Sequence, residues 1–363
     1  MKLRRTDGVD LPPIRILVVD DAVVARTVIS EILNQEDGLE VVGTAPNGRI
    51  ALTKIARLQP DLVTLDIDMP ELDGMATLER IRSDFPAIDV IMVSNLTQRG
   101  ARVTVDALFL GAADYVTKAT RTSSPASARE HLRNQLLPKI RALYLGRRRD
   151  ESPKTANLDR DAKPATAGGL RSIKIVAIGA STGGPNALAE VLESMPRGFP
   201  APVVIVQHMP KNFTAYLAQR LDSRSQLNVR EATDETILEP GDVWIAPGDL
   251  HIKVKHHQGR YQIATDDGPL VNSCRPSVDV LFRSVAACYN SSSLAVVLTG
   301  MGQDGLDGSR AITGAGGRII VQDQASSVVW GMPGHVATAG LADVVLPPGD
   351  IGAEIVRRVG LRR

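Results

Sequence analysis

At 363 residues the chain exceeds what one hydrophobic core usually organises, so two domains are expected. With 43% apolar residues and a formal net charge of +1, the composition excludes a disordered acidic chain and a strongly basic nucleic-acid binder; no nucleic-acid partner is expected. Two cysteines without metal-ligand spacing exclude a disulfide framework, and Cys274 and Cys288 are expected as buried small hydrophobes.

Residues 1–13, MKLRRTDGVDLPP, read as a tail: basic, but without the apolar stretch of a secretory signal. No later segment approaches the roughly 20 apolar residues of a membrane helix, so a cytoplasmic protein that is not membrane-inserted is expected. Short apolar, β-branched runs follow at 14–19, 61–65, 90–93 and 115–116, with a weaker one at 40–42. Between them, spacings such as Val24, Val28, Ile32 and Ile50, Ile55, Leu58 are helical. Strands alternating with helices imply a parallel sheet covered on both faces. A last helix after Ser124 and Pro125 carries Leu132, Leu136, Ile140 and Leu143 on one face, with Pro138 as a candidate kink.

The stretch 147–169 holds one large apolar residue, Leu158, among charges, prolines and glycines, and cannot offset its own ordering entropy by burial. The chain therefore divides into a domain at 14–146, a linker at 147–171 and a domain at 172–363. In the second domain, runs at 173–178, 203–206, 243–246, 294–298, 318–321 and 344–346 read as strands of another doubly wound parallel sheet, and 251–263, with its HHQG turn, as an appended hairpin.

Asp20 and Asp21 end the first strand of the chain and Asp66 the third, so parallel strands bring three carboxylates to one edge of the sheet, where open α/β sheets bind ligands. Crowded acids repel unless a cation joins them, and hard oxygen ligands suit Mg²⁺. Ser94 adds a hydroxyl and Lys118 a positive charge, which completes a phosphoryl-transfer set. The motifs DD at 20–21, DIDMPELDG at 66–74, Ser94 and DYVTK at 114–118 resemble the receiver domain of bacterial response regulators. The resemblance implies a flavodoxin-like fold in which Asp66 accepts a phosphoryl group from a histidine kinase. It also implies Mg²⁺ held by Asp20 or Asp21, Asp66 and the backbone at Asp68, and Ser94 and Tyr115 as a switch pair with Lys118 beside them. Ala119 stands after Lys118, where receivers usually carry proline.

In the second domain, GASTGG at 179–184 fits G-x-S-x-G between a strand and a helix, a tight turn that exposes a serine. His208 ends the apolar run VVIVQH, and Asp304 lies in LTGMGQDG after a third strand. A serine hydroxyl becomes a useful nucleophile when an imidazole takes its proton and a carboxylate fixes the imidazole, so Ser181, His208 and Asp304 form a candidate hydrolytic triad. His335 is the runner-up base, and Asp307 and Asp323 are fallback carboxylates; His251, His256, His257 and His131 read as surface residues. Gly300, Gly302 and Gly305 also match a dinucleotide-binding fingerprint, with Asp323 as its ribose carboxylate, but Asp304 stands where a pyrophosphate would sit.

GASTGGP, VIVQHMP, CRPSVDVLF at 274–282, LTGMGQDG and SSVVWGMPG, in this order, resemble the catalytic domain of chemotaxis protein-glutamate methylesterases, and the preceding receiver completes that family's architecture. The resemblance implies a Rossmann-like domain that needs no metal, and the backbone N–H groups of Thr182 and Met301 as oxyanion donors. It further implies methylated chemoreceptors as substrates, methanol as product, receptor glutamines as additional substrates, and activation by phosphorylation. A phosphorylation-dependent, non-catalytic receptor-binding adaptor is the alternative of a different class.

Overall fold

The computed structural model describes residues 12–95, 97–118, 124–151 and 172–360, without the side chains of 125 and 145–151. The expectations for the tail before residue 12, for Ala119 and for 152–171 of the linker lie outside these residues. The chain divides between Leu145 and Gly146 into two compact units.

The first unit runs β1 (Ile14–Val19), α1 (Val23–Asn34), β2 (Leu39–Ala45), α2 (Gly48–Leu58), β3 (Leu62–Asp66), α3 (Gly74–Asp84), β4 (Asp89–Ser94), α4 (Gln98–Phe109), β5 (Asp114–Thr117) and α5 (Pro125–Glu151). Its strands are parallel in the order β2-β1-β3-β4-β5, the flavodoxin-like winding. Leu17, Val18 and Val19 are all fully buried because helices cover both faces, which is why the strand reads as a continuous apolar run. Asn47, Asp73 and Thr97 start α2, α3 and α4 by accepting from the N–H groups of Ile50, Ala76 and Gly100. Leu132, Leu136, Ile140 and Leu143 are buried along α5, Pro138 lies within the helix without ending it, and the stretch read as linker from 147 begins inside it.

The second unit runs β6 (Ile175–Ala180), α6 (Gly184–Glu193), β7 (Val203–Gln207), α7 (Phe213–Asp222), β8 (Asn228–Glu231), β9 (Asp242–Ile245), β10 (His251–His257), β11 (Arg260–Asp266), α8 (Val278–Tyr289), β12 (Ser293–Val297), α9 (Leu306–Gly314), β13 (Arg318–Gln322), α10 (Met332–Thr338), β14 (Val344–Leu346) and α11 (Pro348–Val359). Seven parallel strands follow the order β14-β13-β12-β6-β7-β9-β8. β8 has no counterpart among the expected strands: it is an edge strand in which only Val229 is buried, so NVRE lacks the apolar run of a central strand.

The expected hairpin is present and longer, reaching Asp266. Its turn residues, Gln258 and Gly259, both have positive φ (48° and 78°), as a two-residue turn matched to strand twist requires. It rests on α8, where Val254 N donates to Ser284 Oγ at 2.9 Å and the rings of Tyr261 and Tyr289 stack at 4.2 Å. Among the described residues no helix is long and apolar enough to cross a membrane.

Candidate active site

Ser181 follows β6, His208 follows β7, and Asp304 lies between β12 and α9. Because β6 is flanked by β7 and β12, three neighbouring strands deliver the three residues to one edge. Ala180 is opposite Gln207, so Ser181 and His208 are the next residues of adjacent strands, and His208 N donates to Ala180 O at 3.0 Å. On the other side Ser181 N donates to Thr299 O at 3.0 Å, and Gln207 Nε2 donates to Ser181 O at 2.9 Å. The main chain at the serine is thereby tied to both neighbouring strands. Gly183 then turns the chain into α6 with φ 77°, where a Cβ would meet Val328 at 2.6 Å.

The two nitrogens of His208 have different partners. Nε2 is 2.9 Å from Asp304 Oδ2, and Nδ1 is 3.7 Å from Cys274 Sγ. Asp304, in turn, is held at the N-terminus of α8. Its Oδ2 accepts from Val278 N at 2.6 Å, and its Oδ1 from Ser277 Oγ (2.8 Å), Asn272 Nδ2 (2.9 Å) and Asp279 N (3.2 Å). The exchange is reciprocal: Asp279, in the first turn of α8, accepts from Gly305 N at 3.0 Å and Gly308 N at 2.6 Å at the start of α9. Each helix start thus binds the carboxylate next to the other, where exposed N–H groups and the helix dipole favour negative charge.

Burial alone opposes charge on both partners, but the hydrogen bond to His208 and its charge, followed by the hydrogen bonds from Asn272 and Ser277, bring Asp304 down to about 2. On His208 burial likewise favours the neutral ring, and the Asp304 hydrogen bond, with Cys274 contributing, outweighs it and raises the imidazole to about 10. An ionised Asp304 fixes the proton of His208 on Nε2 and leaves the Nδ1 lone pair as the proton acceptor in the neutral ring. Ser181 Oγ has no hydrogen-bond partner among the described residues.

The loop after β12 passes against the serine. A Cβ on Gly300 would lie 2.7 Å from Ser181 Cβ and 2.4 Å from Met332 Sδ, so only glycine permits this approach. The next residue, Met301, donates no backbone hydrogen bond among the described residues, so its N–H is unpaired one residue beyond this close approach. Thr182 is buried, and its carbonyl oxygen lies 3.0 Å from Thr299 Oγ1.

Three expectations need correction. Cys274 and Cys288 are only partly buried, and Cys274 is beside the candidate base rather than in the core. His251 is no surface residue: at 2% exposure its Nδ1 accepts the N–H of Ser277 at 3.2 Å, and its Nε2 donates to Pro269 O at 3.0 Å. It supports the residue whose hydroxyl holds Asp304. Gln207, Asn272, Ser277 and Asp279 are likewise site residues that sequence reasoning missed. For Ser277 and Asp279, the polar positions inside CRPSVDVLF at the start of an apolar helix were the available signal.

The alternatives are placed elsewhere. His335 is exposed on α10 and engages Gly331 O at 2.7 Å. Asp307 is exposed and paired with Arg310, while Asp323 caps the turn at Ser326. Exposed His256, His257 and His131 are where they were expected.

In the first unit, carboxylate oxygens of Asp20, Asp21 and Asp66 lie within 4.8 Å of one another. Lys118 Nζ is 2.9 Å from both Asp20 Oδ2 and Asp66 Oδ2. Burial and then the charge of Asp20 raise Asp66 to about 6 despite Lys118; Lys118 itself is raised because Asp66 and Asp20 outweigh its burial. One lysine leaves three acids under-compensated, and buried Asp20 Oδ2, although 2.9 Å from Lys118, has no well-aligned hydrogen bond. This donor set fits a hard divalent cation. Asp68 is exposed on the following loop. Ser94 Oγ is turned into α4, 2.7 Å from Thr104 Oγ1 and 3.4 Å from Gly100 O. Tyr115 is buried, with Lys139 Nζ 4.9 Å from its ring centre.

Comparison with known proteins shows the families to which the two units belong. A profile of the CheB methylesterase family matches residues 176–355, and one of the response regulator receiver domain matches residues 16–125. A protein-glutamate methylesterase/protein-glutamine glutaminase of Trichodesmium erythraeum is 50% identical over 96% of this chain and its own full length. One from a Nocardioides species is 46% identical over 97% of each chain. The crystal structure of the Thermotoga maritima CheB methylesterase catalytic domain is 45% identical, with a TM-score of 0.51, covering 52% of this chain and 99% of that one.

Proposed function

The chain belongs to the CheB methylesterase family and carries a response regulator receiver domain, and from that premise we propose how its residues perform the work of a chemotaxis-adaptation enzyme. It is a hydrolase that removes methyl groups from glutamate esters of chemoreceptors, releasing methanol, and that deamidates receptor glutamines. The comparisons give no support to a non-catalytic adaptor. The site of action is cytoplasmic, and a chemotaxis histidine kinase is the phosphodonor.

Ser181 Oγ attacks the γ-carbonyl carbon while its proton passes to His208 Nδ1, and Asp304 holds the opposite nitrogen and stabilises the imidazolium that forms. The developing oxyanion takes hydrogen bonds from the backbone N–H groups of Met301 and Thr182, each worth about 3 kcal/mol in comparable enzymes. Collapse breaks the ester C–O bond, and methanol departs with the proton from Nδ1. Water then attacks the acyl-enzyme, giving up its proton to the same nitrogen, and as the C–Oγ bond breaks Nδ1 returns that proton to Ser181 Oγ and the glutamate carboxylate departs. A glutamine amide follows the same course with ammonia as the leaving group. The observation that carries the assignment is the His208–Asp304 bond of 2.9 Å beside the strand end that bears Ser181.

In the receiver, Asp66 is the phosphoacceptor; Asp20, Asp21, Asp66 and the backbone at Asp68 hold Mg²⁺, which when bound neutralises charge on the incoming phosphoryl group. Lys118 pairs with Asp66, and Ser94 and Tyr115 respond to phosphorylation. Methanol release from methylated receptor membranes tests both halves, using wild type, Ser181→Ala and Asp66→Ala, with and without a small phosphodonor and Mg²⁺. Release that requires Ser181, and that the phosphodonor stimulates only when Asp66 is present, is the expected result. Release by Ser181→Ala at the wild-type rate would remove the serine from the mechanism.

A further inference from the structure

The proposed hydrolysis transfers no proton or bond to Cys274, yet its sulfur is 3.7 Å from the nitrogen of His208 that is to accept the serine's proton. Both side chains are partly exposed, so ions in solution can reach them. A tetrahedral zinc ion binds sulfur at about 2.3 Å and imidazole nitrogen at about 2.0–2.1 Å, which places the two ligand atoms about 3.6 Å apart. The observed separation of 3.7 Å is close to this value. The other nitrogen of His208 is bonded to Asp304, the outer carboxylate that zinc-binding histidines commonly use to fix ring orientation and raise basicity. Asp304 is not itself a free ligand, since its oxygens already accept from His208, Val278, Ser277, Asn272 and Asp279. Carboxylate, imidazole and thiol oxygen, nitrogen and sulfur atoms lie within 4.8 Å of one another.

We propose that Cys274 Sγ and His208 Nδ1 form an inhibitory site for a thiophilic divalent cation of the zinc class, which switches the esterase off by occupying the lone pair of the base. On binding, the thiol of Cys274 and the protonated ring of His208 each lose a proton to solvent, the sulfur and Nδ1 each donate an electron pair to the ion, and water fills the remaining positions. Ser181 then has no acceptor for its proton. Mg²⁺ does not compete, because a hard cation disfavours thiolate and belongs with the receiver's carboxylates. The inference rests on His208 as the base of the proposed reaction.

Cobalt(II) is the spectroscopic probe, added to the full-length chain with Mg²⁺ in excess. A near-ultraviolet thiolate-to-cobalt band is expected in wild type, in Cys288→Ser and in catalytically silent Ser181→Ala, and is lost in Cys274→Ser. Zinc is expected to suppress methanol release by wild type, and Cys274→Ser to need about tenfold more zinc or higher for the same suppression, as loss of a direct ligand should cost at least what loss of an outer partner does. A band that survives in Cys274→Ser, a wild type without any band, or equal zinc sensitivity in the two proteins overturns the site. Cys274→Ala, with its circular dichroism and Tm compared to wild type, gives a second test should the serine variant misfold. If the wild type releases no methanol, the catalytic assignment fails, while the band in Ser181→Ala still decides whether the metal binds.

Discussion

Replacing Asp304 with asparagine probes the site at its centre, because the change keeps shape and removes charge. The carboxylate accepts from three donors at Oδ1 (Asn272, Ser277 and the N–H of Asp279) and from two at Oδ2 (His208 and the N–H of Val278). An amide offers one oxygen and one NH₂, so the oxygen turns toward the three donors and the NH₂ faces Val278 N and His208. His208 then accepts at Nε2 and carries its proton on Nδ1, the nitrogen that has to receive the proton of Ser181. A wrong tautomer of this kind costs about 10⁴ in kcat in serine proteases, or about 5.5 kcal/mol of transition-state stabilisation. Steady-state methanol release should show that loss in kcat with KM nearly unchanged. Since the N–H of Val278 loses its acceptor, thermal unfolding should also show a destabilisation of about 1–3 kcal/mol. An Asp304→Asn protein retaining more than about a tenth of wild-type kcat would refute the division of labour between the two nitrogens.

Three further outcomes are expected. His208 is raised to about 10, so its protonated, inactive form dominates below that value and kcat/KM should keep rising with pH above the ordinary imidazole range; a plateau reached by about pH 7 contradicts the Asp304 contact as described. The stabilising share of this pair has the matching signs: that of His208 is present below 6.5 and lost as pH climbs toward about 10, and that of Asp304 is present above 3.8 and lost as pH falls toward about 2. Asp66 is raised from 3.8 to about 6, which means that its ionised form is disfavoured in the folded receiver; without Mg²⁺, Asp66→Asn should therefore be more stable than wild type at neutral pH by up to about 3 kcal/mol. That gain should shrink as pH falls from about 6 toward 3.8, and denaturant unfolding at several pH values measures it. Gly300→Ala puts a Cβ 2.7 Å from that of Ser181, which forces the loop away and misaligns the N–H of Met301; kcat should fall about 10²–10³-fold with the fold retained by circular dichroism, and an unchanged kcat excludes Met301 as an oxyanion donor.

Much of this was legible before any coordinates. Central strands of a covered parallel sheet are apolar on both faces, so they stand out as runs, and residues just past such runs must share an edge. Asp20, Asp66, Ser181 and His208 are all of this kind. β8 was missed because an edge strand has one neighbour and a wet margin, and its NVRE sequence therefore carries too little apolar pattern. His251 was misjudged because position in a hairpin suggests solvent, whereas the covering of that strand by α8 and the 269–277 segment is a long-range event.

The sequence by itself determined two α/β units, the acidic edge of one and the strand-end positions of Ser181 and His208 in the other, since these follow from local periodicity and from what ends each run. Tertiary structure alone decided which strand lies between which, and so placed Ser181 on the strand between those of His208 and Asp304. It also brought the N-terminus of α8 onto Asp304, and Cys274 onto the free nitrogen of His208. Neither contact has a local signature, because docking a helix start against a carboxylate 26 positions along the chain depends on packing between elements, and periodicity reports only the face each element buries.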